Sequence, residues 1–446
     1  MNEVTKIDGI GSSVRRTEDK KFLTGKGRYT DDINRPGQVQ AYFLRSDVAH
    51  AEIKSIDTKA AQSAPGVVGV FTGSDIAADK VGGPICGWVV PCRDGSSTKE
   101  PPHPLLAQGK VRFVGDAVAV VVAETMEQAK SAAELIDVDY NELTPVVDFV
   151  NADKGAQIHE EVPNNCYFDW ELGDESATNK AIESAAKVVK LSVRNNRLVP
   201  NAMEPRSALA EYDSLDESYT LHTTSQNPHL TRLVLAAFMF AIPESKLRVI
   251  APDVGGGFGS KIYVYIEEAV CVWASKKIGR PVKWTADRTQ AFLTDCHGRD
   301  HVNDVQLALD ENNKIIGLRV DTVCNLGAYL SAFSVVVPTI LHGTLLSGQY
   351  DIPAIYTNVK GMATNTVNVD AYRGAGRPEA TYLLERTMET AAKEVGMDPA
   401  EFRRINFIPK DAFPYQTQVA LQYDIGDYEP HLDKAMEMID YSNFEK

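Results

Sequence analysis

The sequence predicts an α+β fold arranged as successive domains. Its 446 residues are enough for about two to four domains of ordinary size. Short runs of alternating or continuous apolar residues, typical of strands, recur between segments whose apolar residues follow helical spacing. Hydrophobic residues make up 43% of the chain and charged residues 24%, which are ordinary globular values. A large core is therefore available without a disulfide scaffold.

The first part of the chain predicts a compact α+β module after a polar, glycine-rich arm at residues 1–30. Thr125 is placed to cap a helix because a hydroxyl oxygen before an apolar-periodic segment accepts from its free N–H groups. The predicted elements, in order, are strands at 41–46, 51–57 and 67–73, an irregular loop at 81–104, a β-like run at 111–124, a helix from Thr125 through Leu135, and a strand at 136–143.

A second region begins near Ala186, after a proline-containing stretch at 144–185 that predicts a connecting segment. Pro228 suits the first turn of a helix, and Gly279 suits the C-cap of an amphipathic one. The predicted elements are strands at 188–199 and 219–226, a helix at 229–240, a strand entering the glycines of 247–259, a helix at 263–279, strands in VKWTADR, VNDVQLALD and KIIGLRVDTVCNLGAY, and an amphipathic helix near the end.

Charge and cysteine content exclude several classes of function. The net charge of −15 disfavours nucleic acids and anionic membranes as partners, because both require dense basic surfaces. The six cysteines form no CxxC pair, so neither a zinc ribbon nor an iron–sulfur cradle is visible. Sparse cysteines suit a reducing compartment, and no apolar run has the length of a signal peptide or a membrane span. These features predict a cytoplasmic protein.

Residues 251–262, APDVGGGFGSKI, are the most unusual stretch. A dinucleotide fingerprint counted from Gly255 fails at Ser260, and a phosphate-binding P-loop fails around Lys261. The setting of strand, glycines and helix predicts bare N–H groups at a helix N-terminus, which could cradle an anion or an oxo group. A tight structural turn explains the same residues equally well.

Two other polar positions carry weaker signals. Arg373 and Arg377 bracket Gly-Ala-Gly in NVDAYRGAGRPEA, and arginine forks bind phosphates or carboxylates at two points. Gln226 follows a strand in TTSQNPH, and its amide could donate to an oxygen ligand. Taken singly, each is more simply a surface or loop residue.

Two further pairs favour structural roles. Glu204 and Arg206 in MEPR suggest an ion pair. His297 and His301 are four residues apart, a spacing that holds zinc on a helix. Gly298 and charged neighbours make a helix poor there, and no third ligand is evident.

Several clusters together resemble one family. FLTGKGRYTDDI, VRFVGDAVAVVVAE, MEPR, TTSQNPH, DVGGGFGSK, YDIPAIYTN and VDAYRGAGRPE occur in the order found in the molybdenum-binding large subunit of the xanthine dehydrogenase, aldehyde oxidase and carbon monoxide dehydrogenase family. The resemblance extends from about residue 10 to the end. It implies an α/β-hammerhead domain at 17–145, a first molybdopterin-binding domain at 150–400, and the incomplete start of a second at 405–446.

The resemblance also implies a cofactor site made by three loops. The metal environment would be formed by Gln226, Phe258 and Arg373. The Gln226 amide would donate to an oxo ligand, while the glycine amides would cradle the pterin-bound metal as preorganised donors. The implied cofactor-binding residues are Gln226, Gly256, Gly257, Phe258, Gly259, Arg373 and Gly374.

The implied chemistry is oxidative hydroxylation with water as the oxygen source, for which the cofactor supplies the difficult step. The implied cofactor is molybdenum–molybdopterin in its cytosine dinucleotide form. Electrons would leave through 2Fe-2S clusters on a small partner subunit to FAD on a medium partner subunit. The substrate is expected to be a small molecule.

Departures from the family narrow the substrate. The purine-oxidising branch has Glu, Arg and Phe where this chain has Ile262, Leu341 and Ala375. A purine would leave its polar edge unpaired against these groups, so xanthine is not expected. The copper-binding Cys of the carbon monoxide branch is absent, since Gly374 and Ala375 occupy that stretch. An aldehyde or an N-heteroaromatic substrate remains.

The length implies an incomplete site. The family's general-base Glu lies near the end of the full subunit, so either a fragment or a naturally split subunit with a second molybdopterin-binding chain is expected. Some members, a nicotinate dehydrogenase among them, are split in this way. None of Glu204, Glu267, Glu268 and Glu379 is predicted to be the catalytic base.

The alternatives are a carbon monoxide dehydrogenase-like subunit, a non-catalytic scaffold subunit, and a nucleotide-binding oxidoreductase. Retention of Gln226, Phe258 and Arg373 argues against a scaffold. Failure of both phosphate patterns argues against the nucleotide-binding oxidoreductase.

Overall fold

The computed structural model describes Gly9 and residues 12–444. Residues 1–8, 10, 11, 445 and 446 lie outside the described part, and with them most of the N-terminal stretch that shows no signal-type apolar run.

The strands are β1 Val39–Arg45, β2 Ala51–Asp57, β3 Val67–Thr72, β4 Lys110–Val111, β5 Ala117–Ala123, β6 Asp137–Glu142, β7 Cys166–Gly173, β8 Lys187–Asn195, β9 Ser207–Asp213, β10 Ser218–Thr223, β11 Leu247–Ile250, β12 Val282–Thr285, β13 His301–Leu309, β14 Ile315–Gly327, β15 Ile355–Ala363, β16 Tyr415–Gln416 and β17 Gln422–Tyr423.

The helices are α1 Asp19–Leu23, α2 Lys59–Gln62, α3 Gly73–Ala78, α4 Met126–Ala133, α5 Glu175–Ser184, α6 Pro228–Leu233, α7 Ile266–Ile278, α8 Arg288–Thr294, α9 Ile340–Gly343, α10 Arg377–Glu394, α11 Pro399–Asn406 and α12 Glu429–Met438. A π-helical turn, Val234–Met239, continues α6.

The largest sheet combines strands from both predicted regions. Its seven strands follow the order β11-β10-β9-β12-β1-β5-β3. The join is the parallel β1–β12 pair, in which Val39 faces Val282. Next to it, β1 pairs antiparallel with β5, with Phe43 opposite Val120. Residues up to 123 therefore share one hydrogen-bonded sheet with residues beyond 206.

Strand β5 is buried along its whole length because both faces of the sheet are covered. One face packs on α4, whose Ala129 and Ala132 are buried. The other shares a core with α7. The prediction of an amphipathic α7 is wrong, since Glu267 through Ser275 are all buried, as expected of a helix enclosed by protein. Its predicted C-cap is confirmed, because Gly279 has φ +71°.

The five-stranded sheet has the order β7-β15-β14-β13-β8. The prediction that 144–185 only connects two regions is wrong, because this stretch forms β7 and α5. Tyr167, Phe168 and Trp170 of β7 are buried in one core cluster, and Asp174 caps α5 by accepting from the N–H of Ala177. Aromatic side chains of β7 thus replace the continuous aliphatic run that marks the other strands.

A three-stranded sheet, β4-β2-β6, and a small β16–β17 hairpin complete the architecture. In the C-terminal stretch, Phe407 and Val419 are buried in the same core as β13 and β14, and Leu432 of α12 packs against it. The predicted domain boundaries stay predictions. None of the described helices is long and apolar enough to cross a membrane.

Candidate functional site

The glycine run forms a loop between β11 and α7. The sequence predicts that the glycines lead directly into a helix. The structure differs, since α7 begins only at Ile266. Gly256, Phe258 and Gly259 have φ values of +93°, +54° and +106°. A non-glycine residue such as Phe258 adopts this left-handed conformation only where its surroundings impose it.

Two of the glycines have no room for a side chain. A Cβ at Gly257 would lie 2.2 Å from Oε1 of Gln226, and a Cβ at Gly259 would lie 2.3 Å from the carbonyl oxygen of Ala371. The loop is therefore in contact with both of the segments that were predicted to join it. Glycine is required because the chain passes too close to them for any side chain.

Gln226 is the link on one side of the glycine loop. Its side-chain Oε1 accepts from the N–H groups of Gly259 at 2.9 Å and Lys261 at 3.3 Å. Its backbone N–H donates to the Lys261 carbonyl at 2.7 Å. Two backbone donors fix which end of the amide is oxygen. The NH₂ end thus lies away from these donors, and no described residue accepts from it. Strand β10 ends at Thr223, three residues earlier than predicted.

Main-chain N–H groups of the glycine loop are also free. Within the described residues, none of the hydrogen bonds uses the N–H of Gly256, Gly257 or Phe258. Successive unpaired N–H groups at alternating backbone conformations form an electropositive concavity that suits oxo groups or anions.

The loop of Arg373, Gly374 and Ala375, here called the arginine loop, contacts the glycine loop on the side away from Gln226 through Phe258. The N–H of Arg373 donates to the Phe258 carbonyl at 2.8 Å, and the guanidinium lies 5.8 Å from the centre of the Phe258 ring. From beneath, Arg299 donates to the carbonyls of Tyr372 and Arg373 at 2.8 and 2.9 Å. The side chain of Arg377 instead donates to the carbonyl of Ala375 at 3.2 Å, at the start of α10. Gln226, Phe258 and Arg373 are thus brought together as predicted.

An apolar cluster adjoins these loops. Ile262, Leu341 and Ala375, the three predicted substrate-pocket positions, pack against a single cluster built on Tyr263, Tyr265, Cys296, Ala332, Val337 and Ala371. Phe333, which the sequence does not single out, belongs to the same cluster. Its position in an otherwise ordinary SAFS stretch offers no motif that could have identified it.

Buried ion pairs support the loops, but the predicted Glu204–Arg206 pair is wrong. Glu204 instead accepts from the N–H of Gly255 at 2.7 Å and from Lys261 Nζ at 3.0 Å, so it holds both ends of the glycine loop. Arg206 donates to Glu267 and Asp295 at 2.7 and 2.6 Å. The partners in the Glu204–Lys261 and Arg206–Glu267 pairs are 57 and 61 residues apart, so no local sequence pattern could have predicted these ion pairs.

All four glutamates near the site have structural partners. Despite burial, Arg206 and Arg45 hold the pKa of Glu267 at about 2. Burial raises the pKa of Glu268 to about 7, against hydrogen bonds from Thr223 and the Tyr265 N–H. Glu379 accepts from Arg299 at 3.0 Å, and its pKa is raised by burial. None of these carboxylates is placed as a free base.

The histidine pair does not converge on a shared ligand. The His297 ring contacts Arg197 and the Phe292 carbonyl, whereas His301 packs edge-on against His342 at 5.8 Å. No group of three or more His, Cys, Asp or Glu residues able to hold a metal occurs within residues 12–444 or at Gly9. The six cysteines are all free thiols.

Family comparisons define the class of protein. Residues 158–407 match the model of a molybdopterin cofactor-binding domain, and residues 24–144 match the α/β-hammerhead domain of aldehyde oxidase and xanthine dehydrogenase. A hammerhead followed by a molybdopterin-binding domain is therefore the fold class. The chain belongs to the molybdopterin-binding large subunits of the molybdenum hydroxylase family.

Individual relatives agree with this assignment. The carbon monoxide dehydrogenase large chain of Hydrogenophaga pseudoflava is 36% identical over 98% of this chain and 55% of its own length. The nicotine 6-hydroxylase large subunit of Paenarthrobacter nicotinovorans is 34% identical over 98% and 52%. The quinoline 2-oxidoreductase structure from Pseudomonas putida 86 superposes with a TM-score of 0.90, at 34% identity over 97% of this chain and 54% of that one.

The chain spans about half the length of these curated relatives. By contrast, the nicotinate dehydrogenase large molybdopterin subunit of Eubacterium barkeri is 27% identical over 97% of both sequences.

The described residues fit the family's cofactor. The outward amide of Gln226 and the free N–H groups of Gly256, Gly257 and Phe258 are all donors, which is what oxo and pterin oxygen atoms require. Among the described residues, no carboxylate accepts from these three N–H groups or from the Gln226 NH₂ group. The donor set is therefore complementary to an electron-rich group rather than to a bare cation.

Proposed function

We propose that this chain is the molybdenum-cofactor-binding part of a hydroxylase that oxidises an aldehyde or an N-heteroaromatic compound with water as the oxygen source. The observation that carries the proposal is the contact between the loops of Gln226, Phe258 and Arg373, which brings unpaired donors of Gln226 and the glycine loop close together. When bound, the molybdenum–pterin group supplies the two-electron oxidation and the transfer of oxygen from water.

The chain's own residues bind and orient this group. Gln226 would donate its NH₂ to an oxygen of the bound group, and its Oε1 keeps the glycine loop in register. The N–H groups of Gly256 and Gly257 would donate to the cofactor as preorganised groups, because Gln226 and Glu204 already hold the loop. Phe258, with an exposed ring, would cover the bound group, and the turn at Gly374 belongs to the arginine loop that contacts Phe258.

The apolar cluster beside the cofactor loops supports the substrate class. Ile262, Leu341 and Ala375 offer no hydrogen-bonding side-chain atoms, so a purine edge would be desolvated without compensation. Two relatives are named for nicotine and quinoline, which are both N-heteroaromatic compounds. Their names agree with a flat, largely apolar substrate.

The alternative of a carbon monoxide dehydrogenase is favoured by the 36% identity to a named large chain. The arginine loop argues against its copper-dependent form. Gly374 has φ +104°, and a Cβ there would lie 2.4 Å from the ring of Pro378. A cysteine at this position would be strained and obstructed.

The remaining parts of the proposal concern other groups and chains. We place the cytosine dinucleotide form of molybdopterin in this site, with 2Fe-2S and FAD on small and medium partner subunits. A second molybdopterin-binding segment or chain supplies the general-base glutamate, since all four local glutamates are engaged. The free thiols suit the reducing cytoplasm, where we place the protein.

The test is co-expression with the genes for the proposed partners, followed by purification and measurement of molybdenum, pterin and oxidation of quinoline, benzaldehyde and carbon monoxide. Molybdenum with oxidation of an organic substrate supports the proposal. Molybdenum with oxidation of carbon monoxide alone supports the alternative. An assembled complex without molybdenum overturns both the hydroxylase proposal and the carbon monoxide dehydrogenase alternative, and it supports a non-catalytic scaffold subunit.

A further inference from the structure

Asp370 is a buried carboxylate without a basic partner. It is 1% exposed, and no Lys, Arg or His among the described residues forms an ion pair with it. Its charge is met only by neutral donors, and burial raises its pKa to about 6. Such a group is costly to keep unless its hydrogen bonds serve a specific arrangement.

One oxygen of Asp370 accepts from its own neighbour in the chain, and the other accepts from a turn that is distant in sequence. Oδ1 accepts from the N–H of Ala371 at 2.5 Å, at the entrance to the arginine loop. Oδ2 accepts from the N–H of Phe333 at 2.9 Å, and from the hydroxyls of Ser331 and Ser334. The carboxylate therefore joins the 331–334 turn to the loop that leads to Arg373 and Ala375.

Both segments contribute side chains to the apolar cluster beside the cofactor loops. Ala332 and Phe333 come from the turn, and Ala371 and Ala375 come from the loop, all in one cluster with Leu341. The turn is also held from the hammerhead side, because the N–H of Gly87 donates to the Ala332 carbonyl at 3.0 Å. The Asp370 hydrogen bonds thus fix the distance between two segments of the same apolar cluster.

We propose that Asp370 is a positioning residue whose carboxylate clamps the 331–334 turn to the arginine loop, and that this clamp, through Phe333, limits the size of the substrate. The size limit rests on the proposed function; the clamp itself does not. Asparagine cannot replace the carboxylate, because its NH₂ group would face donors in place of an acceptor.

The clamp is tested on the full chain by hydrogen–deuterium exchange of wild type, Asp370→Asn and the control Asp116→Asn. Asp116 is also buried, at 4% exposure, and its Oδ2 accepts from the Arg112 N–H within the hammerhead range. Asp370→Asn should speed exchange at Phe333 and Ala371 by about tenfold, whereas Asp116→Asn should not. Wild-type exchange at both amides in Asp370→Asn, or equal acceleration by the control, overturns the proposal.

The size limit is tested in the assembled complex with benzaldehyde and acetaldehyde, which differ in bulk but share the reacting group. Asp370→Asn should change the KM for benzaldehyde severalfold with little change for acetaldehyde, and Phe333→Leu should shift the same ratio without altering exchange at Ala371. Equal changes for both aldehydes overturn the size limit. A complex that oxidises neither these aldehydes nor quinoline counts against the proposed function, while the exchange experiment still decides the clamp.

Discussion

The Oε1 of Gln226 accepts from the glycine loop. Its NH₂ group has no acceptor among the described residues, and we propose that it donates to the cofactor. Gln226→Glu keeps an acceptor for the loop but replaces the donor with an anionic oxygen. We expect kcat to fall by about 10²–10³ while molybdenum content is retained, as when an oxyanion donor is removed.

The measurement is steady-state kinetics alongside metal analysis of the same preparation. Gln62→Glu, an equivalent change on the exposed surface of α2, should leave kcat unaltered. A Gln226→Glu enzyme as fast as wild type would show that this amide does not act on the reacting centre.

Gly259 tests the loop geometry independently of any donor. It has φ +106°, and a Cβ would lie 2.3 Å from the Ala371 carbonyl. Gly259→Ala should separate the glycine and arginine loops and lower the molybdenum content of the purified complex by about tenfold or more. Gly279→Ala is the matched control, since φ is +71° there but no atom lies within 4 Å of the added methyl. Equal molybdenum in both variants would contradict the proposed cradle.

Motifs could identify these loop residues because each lies within a short, distinctive string. Gln226, Phe258 and Arg373 were all predicted, and the structure brings them together. Their supports were not predictable in the same way. The Lys261 partner of Glu204 and the Phe333 contact of Asp370 depend on segments that meet only after folding.

At the level of single elements, the capping box of α4 offers a stability test. Thr125 accepts from the N–H of Gln128, and the Gln128 side chain accepts from the N–H of Thr125. Thr125→Ala should lower the free energy of unfolding by about 1 kcal/mol, measured by urea denaturation. Thr58→Ala, before α2, removes a threonine whose side chain caps no N–H and should have a smaller effect. Equal losses would show that the cap contributes nothing measurable.

Elements were predicted well where one residue pattern dominated. The alternating or aliphatic runs of β1, β2 and β5 and the cap of α4 were all evident in the sequence. Strand β7 was missed because acids and prolines surround its aromatic residues, which masks the signal over a longer window. The burial of α7 on all sides was missed because Glu267 and Glu268 give it a polar face whose partners lie elsewhere in the chain.

At the scale of the whole molecule, buried neutral histidines predict a response to acid. Burial lowers the pKa of His159 to about 4, while its Nε2–H group donates to the Ala328 carbonyl at 2.6 Å. The folded state therefore binds fewer protons than the unfolded state between about pH 6.5 and 4, so this residue's contribution to stability is lost as pH falls through that window.

His159→Gln should reduce the stability lost between pH 7 and pH 5 by about 1–2 kcal/mol relative to wild type, as measured by urea denaturation at each pH. His431→Gln changes an exposed histidine on α12 and is the control. A pH dependence for His159→Gln that matches wild type would refute this assignment.

The arrangement of sheets was beyond reach of the sequence. Val39 and Val282 pair across 243 positions, and nothing local to either residue specifies the other. The number of α+β regions could be anticipated from length and pattern, but their fusion into one seven-stranded sheet could not.

That fusion has a practical consequence for domain exchange. A chain begun after residue 145 would lack β1 and leave the backbone of β12 unpaired along an open edge, an invitation to aggregation. A hammerhead transplanted between relatives would therefore have to keep a β1 strand that can pair with Val282 and Lys283 of β12.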